Sequence, residues 1–337
     1  MEIQKNFDLK NLNSFNISAK TKYFYRFSSI KELQNIIEYN KIFKEKTIIL
    51  GGGSNILLTK DFDGLIIKNE IKGVNIQSES LRHVTIEVGA GENWHNFVKW
   101  SVTNNLSGIE NLALIPGSVG ATPIQNIGAY GMEVKNTIKK VYCLDIETQT
   151  EKVLTNKECD FKYRDSIFKN KFKNKFIITK VVFCLNKEHA NNSNYGAINE
   201  ELNKLKMEPS LKSIFKAVIN IRNQKLPDPK KLGNSGSFFK NPIIENKKFQ
   251  KLKQSYPNIV GYPIKNGDIK IAAGWLIEKA GWKGYTEGSA GVHKKQALVL
   301  VNYGEATGKD ILNLSFKIKD SVKEKFDIEI TPEVNII

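Results

Sequence analysis

The stretch from Asn111 to Gly131, NLALIPGSVGATPIQNIGAYG, constrains the fold of this chain more than any other segment. It holds four glycines and two prolines and carries no charged side chain. Glycines and prolines at this density break helices and strand ladders, so buried main-chain N–H groups need another acceptor. One interpretation of this stretch is a tight core loop. We favour the other, a ligand-binding segment in which the glycine-rich main chain lets a phosphate or a flat ring approach closely.

The chain has the composition of a globular protein. It has 337 residues, 40% of them hydrophobic and 26% charged, which allows two or three domains with a substantial core. No apolar run approaches the roughly 18 residues of a membrane span, and the N-terminus lacks the apolar core of a signal peptide. We therefore expect a cytoplasmic protein without a membrane partner.

Three cysteines, Cys143, Cys159 and Cys184, are odd in number and show no CxxC spacing. This pattern predicts buried, inert thiols and argues against a disulfide framework or a zinc site. We expect no bound metal.

The formal net charge is +16, which would ordinarily raise nucleic acid as a partner. The lysines, however, are spread along the chain and do not gather into an arginine-rich stripe. We therefore expect no nucleic-acid partner, while the positive charge is compatible with anionic small ligands such as nucleotides.

A second glycine-rich turn comprises Gly51, Gly52, Gly53, Ser54 and Asn55. It follows a short strand predicted at Thr47 to Leu50. It lacks the Lys-Ser/Thr end of a P-loop and does not match GxGxxG, so neither common nucleotide motif is present. A bare triple glycine is weak evidence, but with Ser54 and Asn55 it can surround a pyrophosphate with N–H groups and side-chain donors.

Helix signals recur along the chain. Capping patterns predict helices after Ser29, after Asn93 and after Thr307, and apolar spacing predicts another from Leu211 to Gln224. We interpret His95 as a helix-surface or capping side chain. An asparagine-rich polar segment from Lys187 ends at Tyr195, which is typical of a mobile loop with an aromatic tip.

Eight motifs occur in one order along the chain. They are GGGSN (51–55), GAGENWH (89–95), ENLALIPGSVGATPIQNIGAYG (110–131), YRDSIF (163–168), KLPDP (225–229), GSFFKNP (236–242), AAGWLIE (272–278) and PEV (332–334). Together they closely resemble the UDP-N-acetylenolpyruvoylglucosamine reductase family, flavoproteins that make UDP-N-acetylmuramate for peptidoglycan. The resemblance spans nearly the whole chain.

The resemblance implies the α+β FAD-binding fold shared with vanillyl-alcohol oxidase and p-cresol methylhydroxylase. Two FAD-binding domains, at 1–70 and 71–222, are expected to precede a substrate-covering α+β domain at 223–326, with the tail 327–337 docked back on the second. FAD would be bound non-covalently and without a Rossmann unit. The residues expected to contact it are Gly51, Gly52, Gly53, Ser54, Asn55, Pro116, Gly117, Ser118, Gly120, Ala121, Gln125, Asn126, Gly128, Ala129 and Tyr130.

The resemblance also implies a two-step reduction. NADPH reduces the flavin, and the flavin then passes a hydride to C3 of the enolpyruvyl group of UDP-N-acetylglucosamine enolpyruvate. Ser237 matches the proton donor to C2. Arg164 and Glu333 match the residues that polarise the substrate carboxylate and stabilise the enolate, and we expect Glu333 to be protonated in the substrate complex.

Six further residues match positions that contact the substrate in the family, namely Tyr163, Tyr195, Lys225, Asn241, Tyr262 and Lys270. The Tyr195 loop is characteristic of the longer type of this family, in which it folds over the UDP moiety. Asn335 departs from the family, which often carries a basic residue after PEV. We expect a monomer.

Two alternatives were weighed against this hypothesis. An FAD oxidase or dehydrogenase acting on a small alcohol or hydroxy acid would explain the cofactor loops but would leave Ser237 and the Tyr195 loop without a role. A basic nucleic-acid-binding protein would explain the charge, and it would be colourless and bind DNA in a salt-sensitive way.

Overall fold

The structure is a computed structural model that describes residues 2–188 and 196–337. The chain divides into two compact units. The first comprises Met1–Phe7, Thr21–Gly52 and Asp63–Gln224, and the second comprises Asp8–Lys20, Gly53–Phe62 and Lys225–Ile337. The sequence analysis expected three domains with other boundaries, at 1–70, 71–222 and 223–326, and that division stays a prediction.

The strands of the described chain are β1 (Gln4–Asp8), β2 (Lys20–Phe27), β3 (Thr47–Leu50), β4 (Ile56–Leu57), β5 (Phe62–Asn69), β6 (Val74–Glu79), β7 (His83–Gly89), β8 (Gly128–Ala129), β9 (Met132–Glu133), β10 (Ile138–Asp145), β11 (Glu151–Thr155), β12 (Phe176–Asn186), β13 (Gly233–Ser237), β14 (Ile243–Ile244), β15 (Gly261–Pro263), β16 (Ile269–Ile271), β17 (Thr286–Glu287), β18 (Ala290–Val292), β19 (Val299–Asn302) and β20 (Asn335–Ile336). The helices are α1 (Ile30–Phe43), α2 (Trp94–Thr103), α3 (Gly196–Leu205), α4 (Leu211–Lys225), α5 (Asn246–Ser255), α6 (Ala273–Lys279) and α7 (Gly308–Phe326).

The first unit is built on two sheets. Strands in the order β1-β2-β5-β3 form one sheet, and the order β11-β10-β12-β7-β6 forms a second, antiparallel one. Helix α1 begins where the sequence predicted, because the Ser29 side chain accepts from the Glu32 N–H, and it ends at Phe43. Its buried face, including Leu33 and Ile36, packs in one core cluster with residues of β2 and β5. Burial of such faces, more than intrinsic propensity, stabilises helices of this length.

A larger core of the first unit lies against the five-stranded sheet. It joins Trp94 and Phe97 of α2 to Phe183 of β12 and Val218 of α4. Asn93 caps α2 by accepting from the Asn96 N–H, as its sequence predicted. The glycine-rich segment 111–131 lies within this unit, and Leu112 and Val119 belong to the same core.

The second unit contains smaller sheets. Their strand orders are β13-β19-β18-β17 and β14-β16-β15, and β20 pairs with β4 in parallel. Helix α7 has the predicted capping box between Thr307 and Asp310 and buries the expected stripe from Ile311 to Phe326. Near the end of the C-terminal tail, residues 327–337, lies β20.

The prediction of buried thiols is confirmed for two of the three cysteines. All three are free, Cys143 and Cys159 are buried and Cys184 is partly buried, and burial raises the pKa of both buried thiols to about 12. Within residues 2–188 and 196–337, no group of three His, Cys, Asp or Glu side chains is placed to hold a metal ion. No helix in this part of the chain is long and apolar enough to cross a membrane.

Candidate functional site

Two glycine-rich loops of the first unit touch through bare main chain. A Cβ placed on Gly52 would lie 2.7 Å from Gly117 Cα, and one on Gly51 would lie 2.5 Å from Ser118 Oγ. A Cβ on Gly120 would lie 2.6 Å from Ala90 Cβ. Because none of these positions has room for a side chain, the loops form a glycine-rich floor of closely packed main chain. Gly52 is exposed on this floor and Gly117 is half-buried, and bare main chain of this kind lets a flat or phosphorylated ligand approach closely.

Helix α2 and the turn before it hold this floor in place. The Trp94 N–H donates to the Gly117 carbonyl at 3.0 Å, and the Trp94 indole donates to the Leu112 carbonyl at 2.9 Å. His95 has a defined task as well, since its Nδ1 accepts from the Leu114 N–H at 3.1 Å. The sequence predicted a surface or capping side chain, and the structure places His95 as a half-buried acceptor for a residue whose φ is +56°.

The end of the floor is shaped by Asn126. Its side chain is buried and donates to the Lys162 carbonyl and to Glu133 Oε2, while its Oδ1 accepts from the Lys135 N–H. Both Nδ2 hydrogens are therefore used inside the protein. Asn126 was predicted as a cofactor contact, and these bonds indicate that its side chain positions the loop.

Arg164 lies beside the same loop. Its Nη2 donates to the Gly128 carbonyl at 2.7 Å, and its guanidinium carbon lies 5.8 Å from the ring centroid of Tyr163. Its main chain has φ +53°, and Tyr130 has φ +48°. Non-glycine residues in this region cost about 1–3 kcal/mol each and tend to cluster at functional sites. The structure thus brings the predicted residues Tyr163, Arg164 and Gly128 together.

Arg222 of α4 was not identified from the sequence. It hydrogen-bonds Tyr130, and burial is the main cause of a lowered pKa for its guanidinium, to which nearby Arg164 adds. Its Nε is enclosed and has no hydrogen-bond partner in the described chain. A single arginine in the last turn of a helix is usually exposed to solvent. The sequence alone therefore gave no sign that the Arg222 side chain would be enclosed.

The other predicted cofactor residues of the first unit lie on the same segment. Ser118 forms an isolated bridge with Asn93, and the Ala121 N–H donates to the Ser118 carbonyl. Ala129 pairs with Met132 in the β8–β9 hairpin. Pro116 is exposed and Gln125 is half-buried.

The second unit carries the rest of the triple-glycine loop. Gly53 has φ +64°, and a Cβ on it would lie 1.8 Å from the Leu12 carbonyl oxygen, so no other residue fits there without rearrangement. Asn55, next to Ser54, donates through Nδ2 to the Glu333 carbonyl at 3.3 Å. In return, the Asn335 Nδ2 donates to the Asn55 carbonyl at 2.9 Å. The departure from the family at 335 therefore supplies a bond that fixes this loop.

Ser237 and Glu333 are neighbours in the second unit. Ser237 ends β13 and is exposed, and Phe238 follows it with a fully buried ring. The Glu333 N–H donates to the Phe238 carbonyl at 2.7 Å, and the Lys240 N–H donates to the Thr331 carbonyl. The segment after β13 is thus paired with the segment before β20, which brings the main chain around two predicted catalytic residues together.

A small sheet gathers three predicted substrate residues. Tyr262 of β15 pairs directly with Lys270 of β16, and Asn241 Oδ1 accepts from the N–H of Ala273, the first residue of α6. The Tyr262 side chain is exposed. Lys225 is an exposed residue at the end of α4, and Tyr195 lies outside the described residues.

Comparisons with known proteins identify the family. A family model described as UDP-N-acetylenolpyruvoylglucosamine reductase, C-terminal domain, matches residues 228–337, and one described as FAD binding domain matches residues 21–153. The UDP-N-acetylenolpyruvoylglucosamine reductase of Flavobacterium johnsoniae is 53% identical over 339 residues, with 100% of both chains covered. This chain belongs to the UDP-N-acetylenolpyruvoylglucosamine reductase family. The protein of that name from Amoebophilus asiaticus is 46% identical, again with 100% of both chains covered.

Solved structures agree on the fold. The crystal structure of the UDP-N-acetylenolpyruvylglucosamine reductase from Thermus caldophilus matches with a TM-score of 0.66 at 21% identity, covering 99% of this chain and 98% of the other. A solvent-stable cholesterol oxidase matches with a TM-score of 0.50 at 8% identity, covering 98% of this chain and 86% of the other. The predicted fold class, the α+β FAD-binding fold of the vanillyl-alcohol oxidase type, is confirmed.

The chain is accordingly an FAD-dependent oxidoreductase of this family, with FAD as cofactor and NADPH as co-substrate. The residues present fit the flavin. Bare main chain at the exposed Gly52 and the half-buried Gly117 leaves a surface without side chains, and the Nε of Arg222 is enclosed without a hydrogen-bond partner in the described chain. Both features suit a flat cofactor that gains negative charge on reduction.

Proposed function

We propose that this chain catalyses the NADPH-dependent reduction of UDP-N-acetylglucosamine enolpyruvate to UDP-N-acetylmuramate, in peptidoglycan precursor synthesis. The observation that carries the proposal is the main-chain pairing of residues 238–240 with residues 331–333, which brings the segment that follows Ser237 next to the segment that contains Glu333. FAD, when bound, supplies the hydride that it takes from NADPH. The protein must then supply a proton and hold the charge of the substrate.

Ser237 is the proposed proton donor to C2 of the enolpyruvyl group. Its hydroxyl is exposed at the end of β13, while the main chain on both sides is fixed by pairing with β19 and by the buried ring of Phe238. A serine hydroxyl is a weak acid, so its contribution depends on being aimed at a strongly basic carbanion. A rigid main chain on both sides of Ser237 would orient its hydroxyl in this way.

Arg164 and Glu333 are the proposed partners of the substrate carboxylate. Arg164 is held by the Gly128 carbonyl and the Tyr163 ring, and a planar guanidinium is the group that pairs most naturally with a carboxylate. Glu333, in its protonated form, would donate to the same charge as it grows into an enolate. Tyr262, Lys270, Asn241 and Lys225 are the proposed contacts of the sugar and diphosphate, and Tyr163 and Tyr195 complete that set.

The glycine-rich loops are the proposed seat of FAD. In the first unit Gly51 and Gly52 meet the 116–130 segment, and in the second unit Gly53, Ser54 and Asn55 continue the turn. The asparagine pair of Asn55 and Asn335 would keep the turn in shape before FAD binds. Such preorganisation lowers the conformational cost of binding.

The decisive experiment follows the flavin absorbance of the purified protein without oxygen. NADPH should bleach the flavin, UDP-N-acetylglucosamine enolpyruvate should restore it, and UDP-N-acetylmuramate should form in equal amount. Bleaching by NADPH without recovery on adding the nucleotide would contradict the substrate while leaving the cofactor in place. Oxygen consumption with a small alcohol or hydroxy acid, in the absence of NADPH, would instead support an oxidase.

A further inference from the structure

Lys68 is a half-buried cation that binds a glycine carbonyl of the first unit. It lies near the end of β5, and its Nζ donates to the Gly51 carbonyl oxygen at 3.0 Å. Among the residues that the structure describes, this is the one hydrogen bond of the ammonium group, and no carboxylate forms an ion pair with it. An ammonium group has three donors, so two of them remain for solvent or a ligand.

The surroundings of Lys68 make its charge costly. Burial is the largest cause of a lowered pKa for the Lys68 ammonium, Arg26 and Lys72 lower it further, and Glu70 acts in the opposite direction. Charged groups that are withdrawn from water are normally paired with an opposite charge, whereas the partner of Lys68 is a neutral carbonyl. An anionic ligand close to Gly51 would offset this cost.

The bond from Lys68 also fixes the orientation of the peptide group between Gly51 and Gly52. The C=O and N–H bonds of a planar trans peptide point in opposite directions. Because Lys68 holds the Gly51 carbonyl, the Gly52 N–H is turned to the other side. Gly52 is exposed, and its N–H donates to no acceptor in the described part of the chain.

This peptide group needs an anchor because it lies between two glycines. Glycine adopts backbone conformations that other residues avoid, so without the bond to Lys68 the Gly51–Gly52 peptide could rotate. Gly52 is part of the glycine-rich floor, where a Cβ on it would lie 2.7 Å from Gly117 Cα. Exposed N–H groups of such turns bind phosphate oxygens, and their direction decides whether they can do so.

We propose that Lys68 is a positioning residue of the FAD site, which holds the Gly51–Gly52 peptide so that the Gly52 N–H is presented to the diphosphate of the cofactor. The ammonium adds positive charge behind the same turn. This inference rests on the glycine-rich loops as the proposed seat of FAD and is independent of the proposed substrate. Loss of the anchor lowers the fraction of protein in the binding conformation, and the apparent affinity falls with that fraction.

FAD titration of the full-length apoprotein tests this role. Lys68→Met keeps an unbranched side chain but removes both the donor and the charge. Its FAD affinity should fall roughly 10- to 100-fold, the factor expected for loss of a hydrogen bond from a charged group. ADP, which carries a diphosphate without the flavin, should lose affinity by a similar factor when it competes with FAD. Lys68→Arg keeps a positively charged donor and should retain most of the affinity for both ligands.

Two controls accompany the titration. Lys22→Met makes the same chemical change on β2 of the same sheet, where the exposed Lys22 ammonium pairs with Glu45 at 2.7 Å, and it should leave FAD affinity unchanged. Gly52→Ala tests the proposed seat of FAD separately. Weak FAD binding by Gly52→Ala together with normal binding by Lys68→Met would leave that seat in place and refute the role of Lys68.

Two further results would overturn the proposal. Weakened FAD binding with unchanged competition by ADP would mean that Lys68 acts on a part of the cofactor other than the diphosphate. Equal losses in Lys68→Arg and Lys68→Met would mean that the shape of the side chain matters and its charged donor does not. If thermal unfolding shows that the Met variant is not folded, Lys68→Gln, which removes the charge and keeps a polar end, is titrated in its place, and the same outcomes decide.

Discussion

The main-chain N–H of Glu333 donates to the carbonyl of Phe238 at 2.7 Å. Through this bond a residue near the C-terminus is held next to Ser237, almost one hundred positions earlier in the sequence. Because the bond belongs to the main chain, substitutions at either side chain leave the pairing intact. Variants at 237 and 333 can therefore be compared as changes in chemistry on an unchanged backbone.

Glu333→Gln should separate the two half-reactions. Reduction of FAD by NADPH should stay fast, whereas reoxidation by the enolpyruvyl nucleotide should slow by roughly 10²- to 10⁴-fold, the range of a positioned acid or base. Stopped-flow absorbance of the flavin measures both steps. Glu329→Gln, which removes only an exposed ion pair with Lys323, is the matched control, and a slowed first step in Glu333→Gln would contradict the assigned role.

Ser237→Ala should slow the same second step, because the carbanion at C2 would have no proton donor. We expect a loss of roughly 10²-fold or more with little change in the affinity for FAD. Ser235→Ala is the control on the same strand, since the Ser235 hydroxyl is buried and has no hydrogen-bond partner in the described chain. Partial rescue by Ser237→Cys would support proton donation, and equal losses in the two alanine variants would refute it.

Gly52→Ala should destabilise the fold and weaken FAD binding. The new methyl group would lie 2.7 Å from Gly117 Cα, and such overpacking costs about 1–3 kcal/mol of folding stability unless the two loops move apart, which would disturb the proposed FAD surface. FAD titration by fluorescence measures the affinity, and thermal unfolding of the apoprotein measures the fold. Gly196→Ala, whose Cβ would meet no atom of the described residues within 4 Å, should be silent in both assays, and an unaffected FAD affinity in Gly52→Ala would place the cofactor elsewhere.

His95 should make the stability of the apoprotein depend on pH. Burial, then the charges of Lys99 and Arg222, lower the pKa of its imidazole below the ordinary value of 6.5, and its neutral Nδ1 accepts from Leu114. The folded state thus binds a proton less readily than the unfolded state, so the contribution of His95 to stability is complete above pH 6.5 and is lost as pH falls through the folded pKa.

Urea unfolding of wild type and of His95→Asn between about pH 5 and pH 8 checks this prediction. Asparagine keeps a neutral acceptor but does not titrate, so its unfolding midpoint should fall less on acidification. A parallel pH dependence in the two proteins would show that His95 is not the titrating group.

Local sequence signals predicted the elements whose ends are fixed by side-chain caps. Ser29, Asn93 and Thr307 each accept from a main-chain N–H of the first turn, as their patterns indicated. Helix α5 was missed because it is strongly polar and buries only Phe249, which leaves no apolar period to detect. The two-residue strands were missed because their pairing depends on distant partners.

For the candidate site, the sequence predicted the residues of the glycine-rich loops better than the residues that hold those loops in place. The resemblance named Gly52, Gly117 and Arg164, and the structure sets these residues along one glycine-rich floor. It gave no signal for Arg222, which belongs to an otherwise ordinary amphipathic helix. The sequence also could not show that the Asn126 side chain makes its hydrogen bonds within the protein, because hydrogen-bond partners depend on the three-dimensional neighbours of a residue.

The buried cysteines have a consequence for a protein that handles electrons. Any reduced flavin that meets oxygen releases hydrogen peroxide, which attacks thiolates and leaves protonated thiols largely untouched. Cys143 and Cys159 are enclosed in the core and keep their protons up to about pH 12. The fold thus shields these two thiols from the by-product of its redox chemistry, and oxidative inactivation should begin at other side chains, among which Cys184 is a free and only partly buried thiol.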